Sequence, residues 1–256
     1  MMDQVRTAGL QGCELPAAPK GVTIYAIGDI HGRLDLLDTI HGEIDADMAN
    51  SRHGRTAEIY VGDYIDRGPD SAGVISRLIA RSREVCAIFL RGNHEQMLLD
   101  FLTGEPCLEM WKGLGAIPCL VSYGVAPDLL SAASQAQVRQ TLASLMPAEH
   151  RQFLSDTAPY CETDRYLFVH AGVRPGIKLE KQTRDDILGI RSAFLDFIGD
   201  HGRIVVHGHT PVLAPDFRPN RINIDTGAYA TNCLTCLKIG EDGPRILHST
   251  GQVAIG

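Results

Sequence analysis

Five short apolar segments of this chain each end at a polar loop that contains glycine. They cover residues 22–27, 59–61, 86–90, 166–169 and 204–206, and they are rich in β-branched and aromatic residues. Apolar runs that stop at a turn signal are typical of buried strands. Because sites in layered α/β folds collect outside strand ends, we expect these five distant loops to converge on one point.

The five loops also share a side-chain chemistry. Each joins glycine to a carboxylate, an imidazole or an amide, in residues 28–32 (GDIHG), 62–68 (GDYIDRG), 92–95 (GNHE), 170–172 (HAG) and 207–209 (HGH). Glycine lets the backbone turn sharply and come close to an ion or a phosphate. The pattern therefore predicts one polar site assembled from all five loops.

Charge and length exclude several classes of protein. The formal net charge is −7 with lysine and arginine scattered, which argues against a nucleic-acid partner. Every apolar run is far shorter than the roughly 20 residues of a membrane span, so no membrane association is expected. Residues 1–20 lack the basic start and apolar centre of a signal peptide, which makes the cytoplasm the expected compartment. The oligomeric state is not indicated.

The order of predicted elements favours an α/β fold. Helices are expected near residues 34–48, 71–82, 95–102 and 185–198, and residues 108–154 are expected to be helix and loop. Two βαβ-like units followed by strand-rich sequence predict a four-layer α/β/β/α sandwich, in which helices flank two mixed sheets. We expect a flexible leader over residues 1–20 and one catalytic domain over 21–256, with a mostly helical insert at 104–160 near the mouth of the site.

Seven cysteines form an odd, irregularly spaced set, which favours a reducing compartment. Cys233 and Cys236 form a C-x-x-C pair on a predicted strand. A structural zinc is the weaker interpretation, because residues three apart on a strand face opposite sides and no second pair accompanies them. Ordinary buried thiols are the stronger one.

The ligand types in the loops suit two divalent metal ions. Mixed carboxylate and imidazole ligands are accepted by manganese, iron and zinc. Asp29 and His31 are two residues apart, so in an extended stretch they share a face and can hold one ion with Asp63. Asp63 can bridge to a second ion, and two ions about 3.5–4 Å apart activate a bridging water as hydroxide. The candidate ligands are Asp29, His31, Asp63, Asn93, His170 and His209.

Phosphoester hydrolysis also needs a proton for the leaving group and a grip on the phosphate. His94 is the candidate general acid, with Asp66 fixing its tautomer. Arg67 can bind phosphate in a bidentate fork, and Arg191 is a candidate second guanidinium.

Each motif taken alone has a simpler interpretation. A single Gly-Asp pair is usually a turn, and Arg191 could be a solvated helix residue. We interpret His207 as a core residue and His209 as the ligand, and we expect Asn223 and Asp225 to support the site indirectly or to form a turn. The joint occurrence of five suitable motifs favours the functional interpretation.

Taken in order, these motifs resemble those of the calcineurin-like metallophosphoesterases. More narrowly, they resemble the PPP-type serine/threonine protein phosphatases and their short bacterial and phage relatives, over residues 22–239. The resemblance implies the same ligands and the same His94, Asp66, Arg67 and Arg191 roles, with manganese as the expected metal and iron or zinc as alternatives. One departure is Gly189, where relatives usually carry tryptophan two residues before Arg191.

Two substrate classes are compatible with this resemblance. Residues Asp66, Arg67 and Glu95 resemble the protein phosphatase type, so a serine/threonine phosphatase acting on a phosphoprotein or phosphopeptide is the expectation. The alternative is a bis(5'-nucleosyl)-tetraphosphatase, which hydrolyses diadenosine tetraphosphate. A remote alternative is a phosphoprotein-binding module without catalysis, although every catalytic residue type is present.

Overall fold

The computed structural model describes residues 4–6, 14–16, 18, 21–50 and 54–249. The strands are β1 Gln4–Arg6, β2 Glu14–Pro16, β3 Val22–Ile27, β4 Arg55–Tyr60, β5 Ala87–Phe89, β6 Tyr160–Glu162, β7 Tyr166–Val169, β8 Ile204–His207, β9 Asp216–Phe217, β10 Arg221–Asn223, β11 Thr235–Gly240 and β12 Gly243–Ser249. The helices are α1 Leu34–Asn50, α2 Ser71–Ser82, α3 Asn93–Thr103, α4 Leu108–Gly113, α5 Ala116–Ser122, α6 Pro127–Ala132, α7 Gln135–Leu145, α8 Ala148–Ser155, α9 Arg184–Gly189, α10 Ser192–Leu195 and α11 Ala228–Thr231. A 3-10 turn covers Leu179–Lys181.

Ten of the strands form two five-stranded mixed sheets. The first has the order β12-β11-β3-β4-β5, with β3, β4 and β5 parallel to one another and β11 antiparallel to both of its neighbours, β3 and β12. The second has the order β6-β7-β8-β10-β9, with β7, β8 and β10 parallel between antiparallel edges. Parallel neighbours need crossover connections, and α1 and α2 supply them in the first sheet.

Alternation along the strands divides the core into layers. Ile24 and Ala26 of β3 pack in a cluster with Phe168 and Val206 of the second sheet, so the two sheets face each other. Tyr25 of β3 points the other way, into the cluster formed with α1 and α2. On the far face of the second sheet, residues of β7 and β8 pack against α9 and α10. The predicted four-layer α/β/β/α sandwich is confirmed.

Register brings the strand ends to the same edge. Ile27 pairs with Tyr60, and Tyr60 pairs with Phe89, so β3, β4 and β5 finish side by side. In the second sheet His207 pairs with Asn223. The polar loops that follow these strands therefore start from neighbouring positions.

The helix predicted near residues 185–198 is wrong as a single element. It is two short helices, α9 and α10, separated where Ile190 is extended (φ −61°, ψ 141°) and Arg191 has φ −128° and ψ −105°. An extended residue cannot continue the helical hydrogen-bond ladder, so the chain changes direction there. Arg191 consequently lies at the start of α10 and not within a helix.

Several other expectations fall on these elements. Helix α2 begins and ends where it is predicted, and α4 to α8 lie within the predicted insert at 104–160. The predicted leader lies mostly outside the described residues, although β1 and β2 within it pair antiparallel. Cys233 and Cys236 are buried, and neither belongs to a group of candidate metal ligands in the described part of the chain. No helix there is long and apolar enough to cross a membrane.

Candidate active site

Asp63, in the loop after β4, lies at the centre of the converging loops. Its Oδ2 is 3.6 Å from Nε2 of His31 and 3.8 Å from Nε2 of His94. Its Oδ1 is 3.4 Å from Nε2 of His170. All four side chains are buried. The loops after β3, β4, β5 and β7 thus meet around one carboxylate.

Two groups of candidate metal ligands share this carboxylate. One contains His31, Asp63 and His94, and the other contains Asp63, His170 and His209, with the ligand atoms of each group within 4.8 Å of one another. The first group includes His94, for which the sequence predicts an acid role instead. A shared carboxylate between two imidazole-rich groups is the arrangement expected of a two-metal site.

Asn93, the first residue of α3, lies beside the second group. Its Oδ1 is 3.0 Å from Nε2 of His170 and 2.9 Å from Nδ1 of His209. The structure therefore brings an amide oxygen and two imidazoles together, which the sequence predicts for the second ion.

Asp29 is a buried carboxylate with one unmatched oxygen. Its Oδ2 accepts the backbone N–H of His209 at 2.9 Å, and Oδ1 has no hydrogen-bond partner among the described residues. Burial and the charges of Asp225 and Asp63 raise its pKa. A buried, unpaired anionic oxygen is costly unless a cation balances it. Together with the imidazoles, this oxygen fits divalent metal ions.

The imidazoles are in the form that binds metal. Burial lowers the pKa of His31 to about 3 and that of His209 to about 3. Burial also lowers the pKa of His170. Burial alone would raise the pKa of Asp63, but the surrounding histidines outweigh that effect and lower it. Neutral imidazoles around an ionised carboxylate are ready to act as ligands.

His94 and Asp66 form a buried pair. Nδ1 of His94 lies 2.6 Å from Oδ2 of Asp66, which leaves Nε2 directed toward Asp63 and Arg67. Burial lowers the pKa of His94, but the Asp63 charge and the Asp66 hydrogen bond outweigh it, so the pKa is raised. The pair has the geometry of a general acid and the group that orients it.

Sequence reasoning missed Trp111 as a partner of this pair. Its indole Nε1 donates to Oδ2 of Asp66 at 2.7 Å, and the whole residue is buried. Trp111 lies on α4, inside the predicted insert and far from any strand end. The usable signal was its single occurrence in the chain.

Arg67 reaches across the site from the loop after β4. Its Nη1 lies 3.0 Å from Nε2 of His31, and its Nη2 lies 3.1 Å from Nε2 of His94. The guanidinium carbon is 4.7 Å from the ring centre of Tyr229, a cation–π contact. Tyr229 was not among the residues predicted from the sequence, because it begins no motif and follows no strand directly.

Glu95 holds the backbone of two loops together. It accepts hydrogen bonds from the N–H groups of Asp63 and Tyr64 at 2.8 Å, and from Gly92 at 2.9 Å. Burial and the Asp63 charge raise its pKa to about 7. A Cβ on Gly92 would overlap Oδ1 of Asp63, so only glycine fits there.

The backbone of the site is strained. Six described residues other than glycine have positive φ, and five of them are predicted site residues: His31, Asp63, Asp66, Arg67 and His209, with φ between 46° and 71°. Such conformations cost about 1–3 kcal/mol each and persist only when neighbouring contacts fix them.

The remaining sequence candidates differ in their surroundings. Arg191 is exposed, and its charge contributes to the lowered pKa of His209 after burial and His170. His207 packs edge-on against Phe194 and belongs to neither ligand group. Asn223 supports the loop carrying Asp225, because its Oδ1 accepts the backbone N–H of Asp225 at 3.0 Å.

Comparison with known families agrees with this geometry. The family described as "Calcineurin-like phosphoesterase" matches residues 22–232. The chain belongs to the calcineurin-like phosphoesterases. Membership implies divalent metal ions, consistent with the two ligand groups around Asp63.

Two curated relatives of this phosphoesterase carry the same name. The bis(5'-nucleosyl)-tetraphosphatase PrpE [asymmetrical] of Oceanobacillus iheyensis is 29% identical over 235 residues, which cover 85% of this chain and 89% of the relative. The protein of the same name from Bacillus subtilis is 26% identical over 243 residues, covering 84% and 90%.

Solved structures support the fold. A chain proposed to be a diadenosine tetraphosphatase superposes with a TM-score of 0.61 at 20% identity, covering 91% of this phosphoesterase and 95% of that chain. A serine/threonine phosphatase from Saccharomyces cerevisiae gives a TM-score of 0.58 at 12% identity, covering 92% and 82%.

The prediction of a protein phosphatase acting on a phosphoprotein or phosphopeptide is therefore wrong, because the curated relatives are named for dinucleoside tetraphosphates. The structure gives the physical reason for the error. Asp66 orients His94, Arg67 spans two imidazoles, and Glu95 fixes backbone amides. These residues contact one another, the histidines and the loop backbone, so they carry no information on the group beyond the phosphate and cannot distinguish substrates.

Proposed function

We propose that this phosphoesterase is an asymmetrical bis(5'-nucleosyl)-tetraphosphatase that cleaves diadenosine tetraphosphate to AMP and ATP. The observation that carries the proposal is the similarity to tetraphosphatases of that name over 84–85% of this chain and 89–90% of theirs. Two candidate ligand groups sharing Asp63 agree with a phosphoryl-transfer centre.

The six proposed ligands divide into two sets that share Asp63. Asp29, His31 and Asp63 would hold one ion, whereas Asp63, Asn93, His170 and His209 would hold the other. Bound divalent ions, with manganese the proposed metal, would supply the attacking water and offset phosphoryl charge. The mixed oxygen and imidazole donors suit manganese, iron or zinc better than magnesium or calcium.

The chain's own residues supply the remaining functions. Arg67 would turn from the imidazoles to a phosphate oxygen pair, for which its planar fork is suited. His94, oriented through Nδ1 by Asp66, would deliver a proton from Nε2 to the departing oxygen. Arg191, exposed near His209, would contact another phosphate of the polyanion.

Product analysis tests the proposal directly. Purified protein with Mn²⁺ is incubated with diadenosine tetraphosphate, and nucleotides are separated by anion exchange. AMP and ATP in equal amounts are expected, whereas ADP alone would contradict asymmetrical cleavage. A phosphothreonine peptide and p-nitrophenyl phosphate are compared at the same enzyme concentration. A higher kcat/KM on the peptide than on the dinucleotide would overturn the substrate assignment.

A further inference from the structure

Trp111 of α4 shares a carboxylate oxygen with the proposed general acid. Oδ2 of Asp66 lies 2.7 Å from the indole Nε1 of Trp111 and 2.6 Å from Nδ1 of His94. All three residues are buried, with 0% exposure each. One oxygen thus receives two hydrogen bonds, from the site and from the helical insert.

Few other groups fix this carboxylate. The second oxygen of Asp66, Oδ1, receives no nitrogen or oxygen donor from the described residues. The Asp66 backbone is held by its N–H, which donates to Oγ of Ser71 at 2.9 Å, but that contact leaves rotation of the side chain unrestrained. The buried thiol of Cys119 also contacts the Asp66 carboxyl, but the indole and the His94 ring are its two nitrogen partners. Because a buried carboxylate needs hydrogen bonds to hold its position, the indole is one of the main restraints on its orientation.

We propose that Trp111 is a positioning residue for the hydrolytic reaction, acting on His94 through Asp66. Its N–H fixes the Asp66 carboxylate in the plane that directs the His94 ring, and so sets where Nε2 points. This inference rests on the proposed hydrolytic function of the site but does not depend on which phosphate ester is cleaved. It also connects the helical insert physically to the chemistry.

The packing around Trp111 provides a matched control. Its ring centre is 5.5 Å from that of Phe101, a buried residue of α3 that packs beside Trp111. Replacing Phe101 by leucine disturbs the same cluster and leaves the indole N–H in place. Trp111→Phe removes the N–H and keeps an aromatic ring. The two variants therefore separate the hydrogen bond from the packing.

Steady-state kinetics of the full-length protein with Mn²⁺ tests the role. Trp111→Phe is expected to lower kcat about 10- to 100-fold, the range for losing a hydrogen bond to a charged group, with KM within about 2-fold. Phe101→Leu is expected to change kcat less than about 3-fold. Equal kcat for Trp111→Phe and the wild type would overturn the proposal.

A double-mutant cycle distinguishes positioning from general destabilisation. If Trp111 acts through Asp66, then Trp111→Phe should lower kcat less than about 2-fold further in an Asp66→Ala background, whereas independent effects would multiply. Multiplication would contradict the proposal. Both p-nitrophenyl phosphate and diadenosine tetraphosphate are used, so a failure on the dinucleotide alone counts against the proposed function and leaves this inference testable.

Fluorescence provides a readout that requires no turnover. Trp111 is the single tryptophan of the sequence, so the emission reports on the surroundings of this indole, including its contact with Asp66. Asp66→Ala should shift the emission maximum, and His94→Asn should leave it near the wild-type value. Identical emission from Asp66→Ala and the wild type, with circular dichroism unchanged, would contradict the contact even if Trp111→Phe fails to fold.

Discussion

Arg67 lies against Nε2 of His94, the nitrogen from which a proton would leave. Nη2 of Arg67 lies 3.1 Å from Nε2 of His94, and an N–H can donate there only to a lone pair. The raised pKa of His94, caused by Asp63 and Asp66 against the opposing effect of burial, favours a proton on that same nitrogen. The two arrangements exclude each other, so Arg67 must turn away before His94 can act as an acid.

Substitutions of Arg67 should separate charge from shape. Arg67→Lys keeps the charge but loses the planar fork, and Arg67→Ala loses both. We expect both variants to lower kcat/KM on diadenosine tetraphosphate, by about 10²- to 10³-fold for alanine. Metal content, measured by elemental analysis, should stay at the wild-type level. Wild-type kcat/KM for Arg67→Lys would argue against bidentate phosphate binding.

Replacing His94 should distinguish proton donation from metal binding, because His94 is also part of one ligand group. For His94→Asn we expect kcat to fall about 10²- to 10⁴-fold, as for loss of a general acid. The bound metal per chain should not change. A fall in metal content in parallel with kcat would assign His94 to the metal instead, and unchanged kcat would remove it from the mechanism.

The shared position of Asp63 predicts unequal effects on metal content. Asp63→Asn should lower the affinity for both ions, since both ligand groups include this carboxylate. His209→Ala should lower the affinity only for the ion near His170 and Asn93. Isothermal titration with Mn²⁺ into metal-free protein measures the stoichiometry. We expect His209→Ala to retain about one ion per chain, and Asp63→Asn to bind fewer ions with lower affinity. Equal loss of bound Mn²⁺ in the two variants would contradict the shared ligand.

The aromatic ring of Tyr229, and not its hydroxyl, should contribute to kcat/KM. It is 40% exposed, yet its ring lies 4.7 Å from the guanidinium carbon of Arg67 and 5.3 Å from the ring of His31. Tyr229→Phe keeps the ring and should leave kcat/KM within about 2-fold. Tyr229→Leu removes the cation–π contact, worth about 0.5–2 kcal/mol, and should lower kcat/KM by about 2- to 30-fold. Equal kinetics for both variants would contradict this role.

The free energy of unfolding should decrease as the pH is lowered, because of a buried histidine away from the site. Nε2 of His41 lies 2.8 Å from the Tyr60 hydroxyl, which itself donates to Glu58 at 2.6 Å. Burial, with the charges of Arg81 and Arg77, lowers the pKa of His41 from 6.5 to about 4. Neutral His41 therefore contributes its full stability above pH 6.5, and that contribution is lost as the pH falls toward 4.

Urea unfolding at pH 7 and pH 5 measures this loss. We expect His41 to account for about 2 kcal/mol of the decrease in the free energy of unfolding, from about 1.4 kcal/mol per unit of pKa shift. His41→Gln can still donate to Tyr60 but does not titrate. The decrease between the two pH values should be smaller in this variant, and an equal decrease would assign the pH dependence to other groups.

The sequence predicted the layers and the converging loops because both depend on local signals. Apolar runs ended by glycine mark strand ends, and parallel register then aligns those ends, as Ile27, Tyr60 and Phe89 do. The proximity of Asp66 to His94 could be proposed from residue types alone, and the structure brings them to 2.6 Å.

Long-range side-chain contacts could not be predicted in this way. Trp111 reaches Asp66 from a helix 45 residues later, and Tyr229 reaches Arg67 from a four-residue helix that no periodicity marks. The substrate prediction failed for a related reason. Glu95 contacts loop backbone and Asp66 contacts His94, and neither contact depends on the group beyond the phosphate.

The positive φ angles at Asp63, Asp66 and Arg67 place a residue that suits the chemistry where another residue would give a more stable fold. Glycine or asparagine would adopt those angles at lower conformational cost, so a population evolved for heat resistance alone should accumulate such replacements at these positions. The surviving proteins would resist heat better and lose hydrolysis. Under selection for heat resistance alone, the positions that accumulate glycine or asparagine would therefore identify the residues of the site.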